Sequence, residues 1–210
     1  MEDASNRHNI AATTGVGDAV GVPDGRRWFV AVVGHNTEKA CHERLQKLGY
    51  ESYVATQTET RQWRNGRKHT VERVVISTLV FLHATEEERL QTVALPFVKR
   101  FLTDKAAPAN RFGIHPLAEV PPQQLQRLQF MLYNADRPVE FVSAPLQTGD
   151  PVRIVRGSLK GLQGHVVTYR DGTSRLVVRL GALGCATLSI GEEDVEKEVK
   201  GVLKMLSLCV

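Results

Sequence analysis

Residues Gly149 to Val167 read GDPVRIVRGSLKGLQGHVV, with glycines at 149, 157, 161 and 164 and cations at 153, 156 and 160 set into strand-like chain. The stretch could cradle a phosphate, present a nucleic-acid surface, or turn one corner of a small barrel. A phosphate loop needs GxxxxGK[ST] opening into a helix, and that pattern is missing. VRIV alternates as a half-buried strand does, and GSLKGLQG supplies turn residues. Gly161 and Gly164 are expected to allow backbone turns that a side chain would hinder. HVVTYR and TSRLVVRL follow as strands, with Asp171-Gly172 suited to a two-residue type I′ turn between them. GCATLSI and EDVEKE bring the total to about five short strands. So small an all-β unit must close on itself to protect its edges, so an SH3-like barrel is expected over 149–198.

Upstream the pattern changes. RRWFVAVVG is a short apolar run bounded by Gly34, suited to a buried strand. Asn36 or Thr37 then opens a helix that places Cys41, Leu45 and Leu48 on one face and ends at Gly49. Tyr53 to Thr56 reads as a second strand. RQWRNGRKH carries an Asn65-Gly66 turn signal and predicts a basic hairpin tip. VERVVISTLVFL, Val71 to Leu82, is the longest strand-like run. Thr85 caps the helix of TEEERLQTVALP, and its glutamates suit the positive end. VKRFLT predicts another strand, and PPQQLQRLQFML a third helix starting at Pro122 or just before it. The expected class is therefore α+β: an antiparallel sheet with helices over 26–134, a connecting segment over 135–148 with one short strand at VEFV, then the barrel. Residues 1–25 are too poor in apolar side chains to offset ordering entropy and predict a disordered leader. Residues 199–210 form a tail that is apolar at Val202, Leu203, Leu206 and Leu208.

The 210 residues carry a net charge of +4 and a pI near 9.1, a mild pointer to polyanions. No apolar run is long enough to span a membrane. Cys41, Cys185 and Cys209 are odd in number and lack a CxxC pair, which fits a reducing cytosol and no zinc site. Cys41-His42 are adjacent, His35, His69, His83, His115 and His165 are scattered, and no acid/base pair stands out. No catalysis and no cofactor are assigned.

GDPVRIVRGSLKGLQGHVV resembles the KOW motif that opens the C-terminal barrel of NusG-type transcription elongation factors. WFVAVV, the helix after it, and a basic hairpin leading into VVISTLVFLH match the order of the NusG N-terminal domain. The resemblance runs from about Arg27 to Lys197. RVVISTLVFLHATEEER, QQLQRLQFMLYNAD and LGALGCATLSI are similar to stretches of the UpxY-type paralogues, which antiterminate transcription of capsular polysaccharide operons.

The resemblance implies a hydrophobic patch docking on the clamp helices of the largest RNA polymerase subunit, from a strand of FPGY-F-V type. That strand corresponds to Ile76–Leu82, with Ser77-Thr78 in place of Pro-Gly and Leu79 in place of tyrosine. Leu79 and Phe81 lie two apart and share a face, and Val32 is a neighbour on the first strand. These three are the expected polymerase contacts, although the same residues also suit a plain core. Trp28 reads as a core anchor. Arg61, Trp63, Arg64, Arg67 and Lys68 are the expected nucleic-acid contacts, to non-template DNA or nascent RNA, unless the hairpin is simply solvated. Glu86, Glu87 and Glu88 either meet a polymerase loop or serve as helix caps. Leu159, Leu162 and Leu183 match barrel positions that contact ribosomal protein S10 or Rho in relatives, where aromatic residues are usual. Arg153, Arg156, Lys160, Arg170, Arg175 and Arg179 make the barrel basic. The resemblance thus implies a polymerase-bound antitermination factor. An RNA- or ribosome-binding KOW protein that never touches polymerase is the alternative.

Overall fold

The computed structural model describes residues 25–62, 68–143, 149–168 and 172–197. The leader to residue 24, the Asn65-Gly66 tip and the C-terminal tail from 198 onward lie outside them.

Strand β1 (Arg27–Val32) buries Phe29, Val30 and Ala31 in succession, as a strand covered on both faces must. Helix α1 (Glu38–Lys47) turns Cys41 and Leu45 inward. Leu48, expected on that face, is 54% exposed. The helix has already ended there, and Gly49 reverses the chain at φ +86° while its N–H meets the Gln46 carbonyl. Strands β2 (Glu51–Tyr53) and β3 (Thr56–Gln62) follow, and β3 pairs with β4 (Lys68–Val74) as a separate two-stranded hairpin.

The run Val71–Leu82 is not one strand. It breaks after β4 and resumes as β5 (Leu79–Ala84), which pairs with β1 and β2. The break is a turn at Ser77-Thr78, where Thr78 holds φ +65°, uncommon for a β-branched residue. Two hydrogen bonds hold it. The Thr78 N–H donates to Glu38 Oε1 at 2.6 Å, and its carbonyl accepts from Val33 N–H at 2.9 Å. Glu38 is 2% exposed, so this carboxyl is committed to the turn. Glu38→Ala would leave the Thr78 N–H without that partner, at an expected cost of about 2 kcal/mol. Thermal melting checks it: Glu38→Gln, which keeps an acceptor oxygen, should recover most of the loss.

Helix α2 (Glu86–Val93) starts with the expected capping box between Thr85 and Glu88. VKRFLT yields only the two-residue β6 (Arg100–Phe101), since pairing to β1 ends after Ala31↔Phe101. Strand β7 (Glu119–Val120) pairs with the start of β1, and Pro122 opens α3 (Pro122–Asn134). The first sheet has the order β2-β5-β1-β6, with β7 also on β1. One face packs on α1 and α2 through Phe29, Val33, Leu45 and Leu82. The other face belongs to a larger core with α3.

The short strand expected at VEFV forms as β8 (Glu140–Val142) and pairs with β12, so it belongs to the second sheet. Strands β9 (Asp150–Ile154), β10 (Gln163–Thr168), β11 (Ser174–Arg179), β12 (Cys185–Ser189) and β13 (Val195–Lys197) complete it. Its antiparallel order is β13-β9-β10-β11-β12-β8, six strands where about five were expected. The class is mixed α+β, and this second sheet is consistent with a small barrel.

Two details differ from the sequence expectation. A two-residue turn at Asp171-Gly172 would pair Thr168 with Arg175, but Thr168 faces Ser174. The register is offset by one residue from that of a two-residue turn, and Asp171 lies outside the described residues. Gly164 is no turn residue either. It sits within β10, where an added Cβ would come within 2.8 Å of the Val177 carbonyl oxygen. Gly161 does turn the chain, at φ +93°.

Helix α3 touches β3 and β11. Its Leu125, Leu128, Met131 and Leu132 join Val30 and Phe81 of the first sheet to Ile154, Leu176 and Val178 of the second in one buried cluster.

Candidate functional site

The expected patch falls on the α3 side of the first sheet. Register places Val32 opposite Leu79 and Val30 opposite Phe81, while Tyr53 faces Phe81 from β2. The three predicted residues are therefore brought together on one face, but unequally. Val32 and Leu79 are half-buried, and Phe81 is fully buried, its ring 5.9 Å from that of Tyr53. Phe81 is thus a core residue in this structure, while Val32 and Leu79 remain partly exposed. Leu79 directly follows the Ser77-Thr78 turn that the Glu38 hydrogen bond holds. Trp28 is half-buried rather than a full anchor, stacked on His83 at 4.8 Å. His83 Nδ1 in turn lies 2.6 Å from Glu51 Oε2.

Between α3 and the base of the β3–β4 hairpin runs an open groove of about 760 Å³, lined among others by Tyr53, Thr56, Glu72, Phe130 and Tyr133. Burial, with Glu72 as a lesser cause, pushes the Tyr53 hydroxyl far up, so it stays protonated. The hydrogen bond from Lys39 Nζ at 2.5 Å, then that from Thr56 Oγ1 at 2.8 Å, holds the Glu72 carboxyl below the usual range.

A second feature was invisible in the sequence. Gln57 of β3 is 3% exposed; its amide Nε2 donates to the Arg137 carbonyl and its Oε1 accepts from Val139 N–H, both at 2.8 Å. Arg73 of β4 donates to the Val139 carbonyl at 2.9 Å and also pairs with Glu59. The hairpin base thereby grips the chain between α3 and β8. Nothing in TQTETRQ distinguishes a buried glutamine from its solvated neighbours.

Of the expected nucleic-acid contacts, Trp63, Arg64 and Arg67 lie outside the described residues. Arg61 and Lys68 are described as backbone only, with Arg61 paired to His69 and Gln62 to Lys68. The glutamates of α2 are largely occupied. Glu88 completes the capping box and meets Arg26 at 2.9 Å, and Glu86 receives two bonds from Arg89. Glu87 is exposed.

Leu159, Leu162 and Leu183 are all buried, at 6%, 4% and 4%, within the cluster that α3 shares. Lys160 and Arg156 are exposed beside them, while Arg175 pairs with Glu140 at 2.5 Å. Arg170 lies outside the described residues. The second sheet is also bonded to α3 and its flanks. Arg127 Nη2 donates to Gln163 Oε1 at 2.9 Å, Gly181 N–H to Gln124 Oε1 at 2.6 Å, and Ser158 Oγ to Asp136 Oδ2 at 2.8 Å. His165 of β10 titrates low because burial, then Arg179 and Arg127, disfavours its cation. Among the described residues no group of three His, Cys, Asp or Glu could hold a metal ion, and no helix is long and apolar enough to cross a membrane.

Residues 26–112, from β1 to the long loop between β6 and β7, match the family model described as NusG, transcription termination factor nusG. That stretch of the chain is similar to the NusG family. No curated protein matches the chain. Among solved structures, the one titled "Domain interaction in Thermotoga maritima NusG" is similar at 14% identity and a TM-score of 0.40, covering 83% of this chain and 98% of that one. The MjSpt4:Spt5 complex is similar at 13% identity and a TM-score of 0.26, covering 82% and 97% respectively.

Proposed function

We propose that this chain is a transcription elongation and antitermination factor that binds RNA polymerase through the α3-side face of its first sheet. The observation that carries the reading is the NusG-family match over 26–112, which contains that face and the basic hairpin. Val32 and Leu79, adjoining and half-buried, meet the clamp helices, and Phe81 supports them from beneath. The cations around Trp63 reach displaced DNA or nascent RNA. A factor holding both protein and nucleic acid reduces pausing by stabilising the elongating state. The resemblance to UpxY-type paralogues supports a polysaccharide operon as the target. A second partner of the barrel, ribosomal protein S10 or Rho, reaches Leu159, Leu162 or Leu183 only if the surrounding contacts open, because all three are buried.

The test is co-purification with RNA polymerase, paired with in vitro transcription on a long-leader template. Leu79→Gln, at a half-buried position, should keep the melting temperature near wild type and weaken polymerase retention about tenfold or more. Retention equal to wild type would overturn the patch assignment. Binding of the wild type to RNA or ribosomes but not to polymerase would favour the alternative reading.

A further inference from the structure

The loop from Asp104 to Pro116 joins β6 to β7 and has no assigned role. Its backbone is closely tied. The Asp104 N–H meets the Pro116 carbonyl at 2.8 Å, and Thr103 bridges Leu117. Asp104 Oδ1 accepts from Ala106 and Ala107 N–H, and His115 Nδ1 lies 2.8 Å from the Ala107 carbonyl. At the tip, Asn110 Oδ1 accepts from both Phe112 N–H at 2.9 Å and Ile114 N–H at 3.0 Å. The Asn110 N–H returns to the Ile114 carbonyl, and Gly113 supplies the left-handed turn at φ +75°.

This framework holds two large apolar side chains out in water, Phe112 at 72% and Ile114 at 60% exposure. Exposing a phenylalanine on so well bonded a tip is a cost that folding does not explain. The Arg111 guanidinium lies 4.7 Å from the Phe112 ring centroid, yet most of the residue remains open. The loop itself carries Lys105 and Arg111 against one acid, Asp104, whose carboxyl is engaged with the Ala106 and Ala107 N–H groups.

We infer that this tip is a base-stacking site for single-stranded nucleic acid, with Phe112 as the platform and Arg111 and Lys105 as phosphate partners. Two apolar side chains on one loop tip are far too little for a stable protein interface, which needs on the order of 1,000 Å² of buried surface. One ring face with adjacent cations suffices for a base, because every base offers a π-face. Rigid presentation of the ring lowers the ordering cost of binding. The site uses other residues than the basic hairpin, and it does not depend on polymerase.

The test is fluorescence anisotropy of a short labelled oligothymidylate titrated with the full chain. Phe112→Ala is expected to weaken binding about tenfold, Phe112→Leu to weaken it similarly, and Phe112→Trp to retain it. Arg111→Gln should lower the slope of log affinity against log salt by about 0.7. Because Phe112 is exposed, all four variants should melt with the wild type. Unchanged affinity in Phe112→Ala would overturn the site. So would full affinity in Phe112→Leu, which keeps the apolar surface without the ring, or a wild type that does not bind the oligonucleotide.

Discussion

Phe81→Asp is expected to unfold the first sheet rather than trim a surface contact. Phe81 is fully buried between Val30 on β1 and Tyr53 on β2, in the cluster that also contains Leu125 and Leu128 of α3. Removing its ring alone costs about 3–5 kcal/mol. A carboxylate in its place adds a desolvation penalty of several kcal/mol. The sum rivals the whole stability of an ordinary domain, about 5–15 kcal/mol. Circular dichroism should show lost cooperativity or a melting point lowered beyond measurement, whereas Phe81→Leu should cost only on the order of 1–2 kcal/mol. A Phe81→Asp protein that melts like wild type would show that the ring lies at the surface. For the same reason, loss of polymerase binding in that variant would say nothing about contact, and Leu79 is the informative position.

The second large effect is expected at Gly149→Ala. A Cβ there would lie 1.6 Å from the Val166 carbonyl oxygen and 2.5 Å from its carbon. No rotamer relieves this, because the obstacle is backbone and the added atom is the first of the side chain. Strands β9 and β10 would have to part at the Asp150↔Val166 pair. The expected cost is about 3 kcal/mol or more, at the high end of overpacking. Hydrogen exchange should rise first in β9 and β10, whereas Gly161→Ala in the turn between them, with open space around it but φ +93°, should cost only about 1 kcal/mol. Equal protection in Gly149→Ala and wild type would mean that the close approach does not exist.

Much of the architecture was readable in the chain. Thr85 followed by Glu88 announces the capping box of α2, Pro122 the start of α3, and WFVAVV a strand covered on both sides, because each depends on neighbours within a few residues. The candidate site was readable in part. Period-two alternation put Leu79 and Phe81 on one face, with Val32 expected as their neighbour on the first strand, and the register sets Val32 opposite Leu79. Alternation is blind to which buried face a helix will cover and how completely, so Phe81 could not be told from Leu79.

Local pattern, then, settles element type, order and class here, since caps, turns and alternation act over a handful of residues. Tertiary contact decides the rest. Thr78 bends away from the strand that its neighbours favour because Glu38, forty residues earlier, accepts its N–H. Gln57 is buried because residues 137–139 pass over it and take up its amide. In GDPVRIVRGSLKGLQGHVV, Gly149 and Gly164 are required by the close approach of a paired strand and not by a turn. Such requirements come from atoms distant in the chain, and only their meeting in space makes them visible.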